Sequence, residues 1–336
     1  MSARRLAALL GFVAAAGAAI VTACGTDGGA SDGGAPDAEP DARDGATEAA
    51  ADAADATGDS NADLDASLLL GVIGDYGVCS DADPPQYSVT CPDEIGVAKL
   101  VHGWSPSAVL TVGDNSYGSG SQAQLPGDQA PYDVDIDAGR FFPAMGNHDW
   151  LSAAGVAPSL AYFGLASPRY VKSFGSLVTF YVLDTNDEDD AGDTAQSAQA
   201  DWFRAALAAS KTKWNVVVNH EAPYSSCGEY SYDGDGGRTD LRWIAAAGAD
   251  LVLSGHSHVY ERLARANYDG TATIPYVVMG ASGAPLQGNC GVALAGQKKA
   301  IYGSFGALRL SISETSLSVD FVVEDGGLGD TLTLTK

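Results

Sequence analysis

Leu68-Leu69-Leu70-Gly71-Val72-Ile73-Gly74-Asp75-Tyr76-Gly77 decides the fold. A short apolar run without polar alternation marks a strand buried on both faces. This one runs straight into a glycine-punctuated loop that carries an acid. The same unit recurs along the chain. Ala108 to Val112 leads to Gly113-Asp114-Asn115-Ser116-Tyr117, and Phe141 to Met145 leads to Gly146-Asn147-His148-Asp149. Trp214 to Val218 leads to Asn219-His220-Glu221, and Leu251-Val252-Leu253 to Gly255-His256-Ser257-His258. Loops beyond the carboxyl ends of strands are where open α/β sheets hold ligands. Four of the five histidines lie in these loops. The fifth, His102, ends a helix, where a cation satisfies the dipole, and reads as structural.

Helical segments separate the strands. Pro92 to His102 reads as a helix closed by Gly103 in a left-handed cap. Gln196 to Ser210 is helical, with Trp202, Phe203, Ala206 and Leu207 as its apolar face, and Arg242 to Gly248 is a short helix. From Ile274 onward the pattern alternates as in strands, through Leu308, Leu310 and Ile312, then Leu317, Val319 and Phe321. No internal repeat is found. Sequential βα units followed by a strand-rich tail predict an α/β fold of two packed mixed sheets flanked by helices, four layers in all.

Singly, the loops say little: Gly-Asp-x-Gly is a common strand-exit turn. Clustered Asn and His after apolar strands, as in Gly146 to Asp149 and Gly255 to His258, have no obvious packing use. On an extended segment His256 and His258 point to one side and reach two adjacent ions. Asp187-Glu188-Asp189-Asp190 and Asp233-Gly234-Asp235-Gly236 lack the spacing of a calcium loop and read as solvated acidic loops.

All five loops in order resemble the calcineurin-like metallophosphoesterase superfamily, and within it the purple acid phosphatase branch. The resemblance covers Leu68 to about His258. Gly77 stands where most of the superfamily has a histidine ligand, and Tyr117 follows Asp114 by three residues, as in the purple enzymes. Gln199 and Trp202-Phe203 resemble the helix those proteins carry before the fourth motif. The resemblance implies one metal on Asp75, Asp114, Tyr117 and His258, with Asp114 bridging to a second on Asn147, His220 and His256. The first set is hard and anionic and suits Fe(III); the second suits a divalent ion such as Zn, Mn or Fe. His148 is implied as the group that contacts phosphate and protonates the leaving oxygen, with Asn147 beside it and Asp149 as a neighbour able to orient it. Many purple phosphatases carry a further histidine after the fourth motif. This chain has none there, and Glu221, Tyr224 and Glu229 are the nearby polar groups.

The remaining sequence concerns address and compartment. Arg4 and Arg5 precede an apolar run from Leu6 to Ala23, the pattern of a secretory signal. Its end, Val21-Thr22-Ala23-Cys24, resembles the lipobox of bacterial lipoproteins, which implies lipidation of Cys24; an uncleaved membrane anchor is the alternative. Residues 25–66 hold ten Asp, two Glu and only Arg43, with few branched or aromatic side chains, and read as a disordered acidic linker. Residues 67–336 are expected to form the metallophosphoesterase domain. With 43 acidic against 18 basic side chains and a formal net charge of -25, nucleic acid and an anionic membrane surface are excluded as main partners. Membrane contact is expected only through an N-terminal lipid. Apart from Cys24 the cysteines are Cys79, Cys91, Cys227 and Cys290. Three pairings are possible; Cys79 with Cys91 is the local option and leaves Cys227 with Cys290.

The expectation is an extracytoplasmic lipoprotein, at the outer membrane, periplasm or cell surface, that hydrolyses small phosphate monoesters by attack of a metal-bound hydroxide. A phosphodiesterase or nucleotidase on the same centre, or a non-catalytic metal-binding surface lipoprotein, is the competing reading.

Overall fold

A computed structural model describes residues 67–79, 91–118, 120–227, 237–288 and 290–336. The signal segment with Cys24, the acidic linker, Glu229 and Asp233 to Gly236 lie outside the described residues.

The apolar runs form parallel strands. β1 (Leu68–Ile73), β2 (Ala108–Thr111) and β3 (Phe141–Pro143) lie side by side, with α1 (Pro92–Gly103) crossing between the first two. Between β2 and β3 come α2 (Leu125–Gln129) and α3 (Asp133–Asp137). After α4 (Ala157–Phe163), β4 (Tyr170–Phe174) pairs antiparallel with β5 (Val178–Val182). α5 (Ala198–Ala208) then leads to β6 (Trp214–Glu221), parallel to β5 and to β7 (Leu251–Gly255). β8 (Tyr260–Ala266), β9 (Thr273–Met279) and β10 (Gln297–Ile301) complete a seven-stranded sheet of order β10-β8-β9-β7-β6-β5-β4. β11 (Gly306–Ile312), β12 (Ser316–Val323) and β13 (Leu328–Thr335) return to the other sheet, six-stranded, in order β13-β12-β11-β1-β2-β3.

Alternate residues of each strand face different cores, which is why the runs are apolar throughout. Leu70, Val72 and Leu110 meet Phe180, Val182, Val216 and Val218 between the two sheets. Ile73 and Val109 face outward against Val97, Ala98 and Val101 of α1. On the far side, Tyr181, Val217 and Val252 pack on Ala200, Phe203 and Leu207 of α5. The expected layering of helix, sheet, sheet and helix is therefore present. Full burial of each large side chain is worth about 1.5–3 kcal/mol, so these three cores fix the strands from which the loops project.

Several local expectations are corrected. Gly103 lies inside α1, and the left-handed residue after it is Ser105, φ 52°. The short helix near Arg242 is a 3₁₀ turn, Thr239–Ile244, because Leu241, Trp243 and Ile244 are all drawn into buried positions. β4 and β5 carry no clear sequence mark. β4 is half-exposed, and Thr179 interrupts the apolar run of β5, its hydroxyl being held by Ser173 and Thr212. His102 is structural, as read, but it acts by pairing with buried Asp135 (2.7 Å). Asp189 is not simply solvated: it is buried and paired with Arg169 at 2.9 Å. Cys79 is bonded to Cys91 and Cys227 to Cys290.

Candidate metal centre

Three of the four non-glycine residues with left-handed backbone among the described residues are Asp75 (φ 55°), Asp114 (φ 53°) and His256 (φ 69°). Each such conformation costs on the order of 1–3 kcal/mol, and it persists where the surroundings over-determine it. Here the first two loops are zipped together. Asp75 N donates to Gly113 O (3.0 Å) and Tyr117 N to Gly77 O (2.8 Å). A Cβ on Gly77 would overlap the Asn115 carbonyl, so no side chain can project from that point. Tyr117, on the neighbouring loop, supplies the polar group instead.

The donors converge as two sets sharing Asp114. Asp75, Asp114 and His258 present ligand atoms within 4.8 Å of one another, and so do Asp114, His220 and His256. Tyr117 Oη lies 2.9 Å from Asp75 Oδ1 and 2.8 Å from His258 Nε2, which joins it to the first set. Asn147 Oδ1 lies 3.0 Å from both His220 Nε2 and His256 Nδ1, which joins it to the second. All seven expected residues are thus brought together. The histidines at 256 and 258 reach different sets because the backbone turns at His256, not because an extended segment aligns them.

Hydrogen bonds set the tautomers. His220 Nδ1 faces Val112 O at 2.9 Å and His258 Nδ1 faces Pro285 O at 2.8 Å. A carbonyl only accepts, so each Nδ1 carries hydrogen and turns the Nε2 lone pair inward, the usual preparation of a histidine ligand. Burial lowers His220, but the Asp114 carboxylate (3.3 Å) outweighs it and the imidazole is pushed up to about 10. His256 is lowered to about 3, by burial and then by cationic His220. Burial raises Tyr117 well above its ordinary value, and Asp114 and Asp75 add to the rise. The phenol therefore ionises only against a strong cation. A proton on His220 occupies the place a metal ion would take, and the acceptor-rich donor set fits two such ions.

His148 stands beside the second loop, its ring centroid 4.5 Å from that of Tyr117 and its backbone N–H donating to Asp114 Oδ1 (2.9 Å). Asp149 does not orient it. Its Oδ2 instead accepts from Gly146 N (2.7 Å), Asn115 Nδ2 (2.9 Å) and Asn115 N (3.3 Å), tying the second loop to the third. Asn115 is buried and bonded through both ends of its amide; the sequence placed it in a motif without a role. Gln199, by contrast, holds the loop after β5 through the backbone of Asp184.

A cleft of about 420 Å³ opens beside Asn147, lined also by Trp150, Leu151, Ser152, Asn186, Asp187, Glu188 and Glu221. Trp150 Nε1 donates to buried Asp184 (3.1 Å). Glu221, raised to about 7 by burial against the pull of Arg238, is the candidate of the fourth motif that reaches this cleft. Tyr224 does not: it packs on Tyr276 beneath Arg265. Arg238 pairs with Glu221 (2.5 Å), Asp193 (2.5 Å), Asp240 (2.8 Å) and Asp187 (3.3 Å). Sequence reasoning missed Trp150, Asp184 and Arg238, whose partners are remote along the chain.

The sequence pattern of the calcineurin-like phosphoesterase family matches residues 93–260. Purple acid phosphatase 18 of Arabidopsis thaliana is 33% identical over 75 residues, which is 21% of this chain and 17% of that protein. Among solved structures, a purple acid phosphatase from yellow lupin (Lupinus luteus) seeds aligns with a TM-score of 0.64 at 18% identity, over 80% of this chain and 54% of its own. GAP50, described as the anchor in the inner membrane complex of Plasmodium, gives 0.59 at 16% identity, over 80% and 89%. A dimetal phosphatase from Danio rerio gives 0.52 at 14%, over 81% and 99%. The chain thus spans about half of the lupin enzyme and less than a fifth of the Arabidopsis relative, and at these identities the structural likeness speaks for the fold. With the family pattern matched across half its length, carrying the second to fifth loops, the chain belongs to the calcineurin-like phosphoesterase family.

Proposed function

We propose that this protein is an exported dinuclear-metal phosphoesterase that hydrolyses phosphate monoesters, similar to purple acid phosphatases. The carrying observation is the convergence of seven donor side chains into two sets that share Asp114. Asp75, Asp114, Tyr117 and His258 would hold Fe(III), and Asp114, Asn147, His220 and His256 a divalent Zn, Mn or Fe ion. When bound, the pair supplies Lewis acidity that activates water near neutral pH and offsets phosphoryl charge.

The chain's own groups do the rest. Backbone N–H groups of His148 and His256 fix the carboxylates of Asp114 (2.9 Å) and Asp75 (3.0 Å), so the donors are set before metal arrives. His148 is not one of the seven donors, and its ring lies 4.5 Å, centroid to centroid, from that of Tyr117. Its imidazole would contact the phosphoryl group and give a proton to the departing oxygen. A non-catalytic surface module built on this fold would have no need to keep all seven donors. Their presence favours the enzyme.

The test is phosphate release from an aryl phosphate monoester and from the matching diester by purified protein loaded with iron and zinc. Turnover of the monoester that ends on chelation and returns with metal is expected. Preference for the diester would make it a diesterase, and inactivity with both ions bound would favour the non-catalytic reading.

Export is part of the same proposal. The two disulfides suit an oxidising compartment. Among the described residues no helix is long and apolar enough to cross a membrane. The proposed attachment is lipid at Cys24, which lies outside the described residues. A Cys24→Ser chain should lose its acyl label and leave the membrane fraction; unchanged fractionation with Met1 intact would point to an uncleaved anchor.

A further inference from the structure

The cleft beside Asn147 has a chemistry that the donor sets do not explain. Its lining combines an aromatic and apolar part, Trp150 and Leu151, with three carboxylate side chains, Asp187, Glu188 and Glu221. Among the described residues that line it none is basic. Arg238, which pairs with Glu221 of this lining, is buried and already shared among Glu221, Asp187, Asp193 and Asp240. It has no charge to spare for an anionic ligand. Asp187 keeps 78% of its side chain exposed, so its carboxylate still faces solvent. The indole of Trp150 is pinned through its N–H to Asp184, which leaves the ring as what it offers the cleft.

An ester bound with its phosphoryl group at the two donor sets would lay its alcohol portion in this cleft. An indole and carboxylates together attract an organic cation, through the ring's negative face and by simple charge, and the same carboxylates repel a second anionic group. We propose that the cleft selects phosphate monoesters of amino alcohols, those whose leaving group carries an ammonium, over esters with anionic leaving groups. This rests on the phosphatase reading above and names its substrate class.

The experiment compares kcat/KM of the metal-loaded protein for phosphocholine, glycerol phosphate and phosphoglycerate, whose leaving groups are cationic, neutral and anionic. Phosphocholine should exceed glycerol phosphate by about tenfold, the combined worth of one cation–ring contact and exposed ion pairs, and phosphoglycerate should rank last. Asp187→Lys with Glu188→Gln should reduce the ratio of the first two toward unity, and added salt should narrow it in the wild-type protein. Turnover of glycerol phosphate with equal values for all three esters would overturn the inference and leave the phosphatase standing. So would a double variant that changes all three rates alike. No turnover of any of them would remove the phosphatase reading and this inference with it.

Discussion

The hydroxyl of Tyr117 donates to Asp75 Oδ1 at 2.9 Å, across a distance of 42 residues in the chain. The contact replaces what a side chain at position 77 would have supplied, and it brings a phenol to two carboxylates and an imidazole. Burial and the two acids hold that phenol protonated in the metal-free protein. Protein reconstituted with ferric iron should therefore be coloured by phenolate-to-metal charge transfer, and metal-free protein colourless. Tyr117→Phe should lose the visible band and retain less iron after dialysis. A full set of ions with no visible band in the wild type would rule out iron on Tyr117. The remaining six donors would still be able to form both sets.

His148 tests the division between ligand and acid. Its backbone N–H donates to Asp114 Oδ1 (2.9 Å), and that bond survives truncation of the ring. His148→Ala should keep both metals by elemental analysis yet slow turnover of alkyl phosphates by roughly 10²-fold or more. Activated aryl phosphates, whose leaving group needs little protonation, should lose much less. Equal losses on both would assign His148 to phosphate positioning.

The donor residues were legible because each sits at or just past the end of an apolar strand, most often with a glycine between strand and ligand. Asp75, Asp114 and Asn147 follow that rule on three strands, His256 and His258 share the end of β7, and His220 lies within β6 with no glycine before it. Tyr117 needed the resemblance, since nothing local separates a ligand tyrosine from a packed one. The cleft was not legible. Trp150 meets Asp184 across 34 residues and Arg238 meets Glu221 across 17, and neither pair has a spacing that identifies it. Asp149 was misjudged for a related reason: adjacency to His148 suggested a bond, but the 3₁₀ turn His148–Trp150 carries its carboxylate to Gly146 and Asn115.

Gly77 should be intolerant of any side chain. Its Cβ would meet the backbone of Asn115 and Ser116, which cannot yield without moving Tyr117. Gly77→Ala should lower the melting temperature, and it should weaken the ferric band more than it lowers total metal content, because the second donor set takes only Asp114 from these two loops whereas the first takes Asp75, Asp114 and Tyr117. Gly77→His, which places an imidazole where much of the superfamily has one, should not restore metal binding to Tyr117→Phe. Rescue by that histidine would show that the two loops can separate.

Asp184 makes the fold sensitive to alkali at a place away from the donors. It is fully buried, it accepts from Trp150 Nε1 (3.1 Å) and Asn186 N (3.0 Å), and burial above all raises its carboxyl to about 8. The unfolded chain loses this proton near pH 3.9, so between about pH 4 and pH 8 the folded state holds more protons than the unfolded one. Stability from this group is complete below about pH 4 and is lost as pH rises through 8. Asp184→Asn cannot ionise, and its amide oxygen can still accept from Trp150. Thermal melts of the two proteins at about pH 5 and about pH 8.5 should show the wild type losing several degrees more than the variant. Glu221, raised to about 7, titrates in this window in both proteins and cancels in the comparison; Asp149, also raised to about 7, enters only through its charge coupling to Asp184, which the substitution removes. Parallel pH dependence would mean that Asp184 ionises in the folded state at no cost, with Trp150 and Asn186 sufficient to hold the charge.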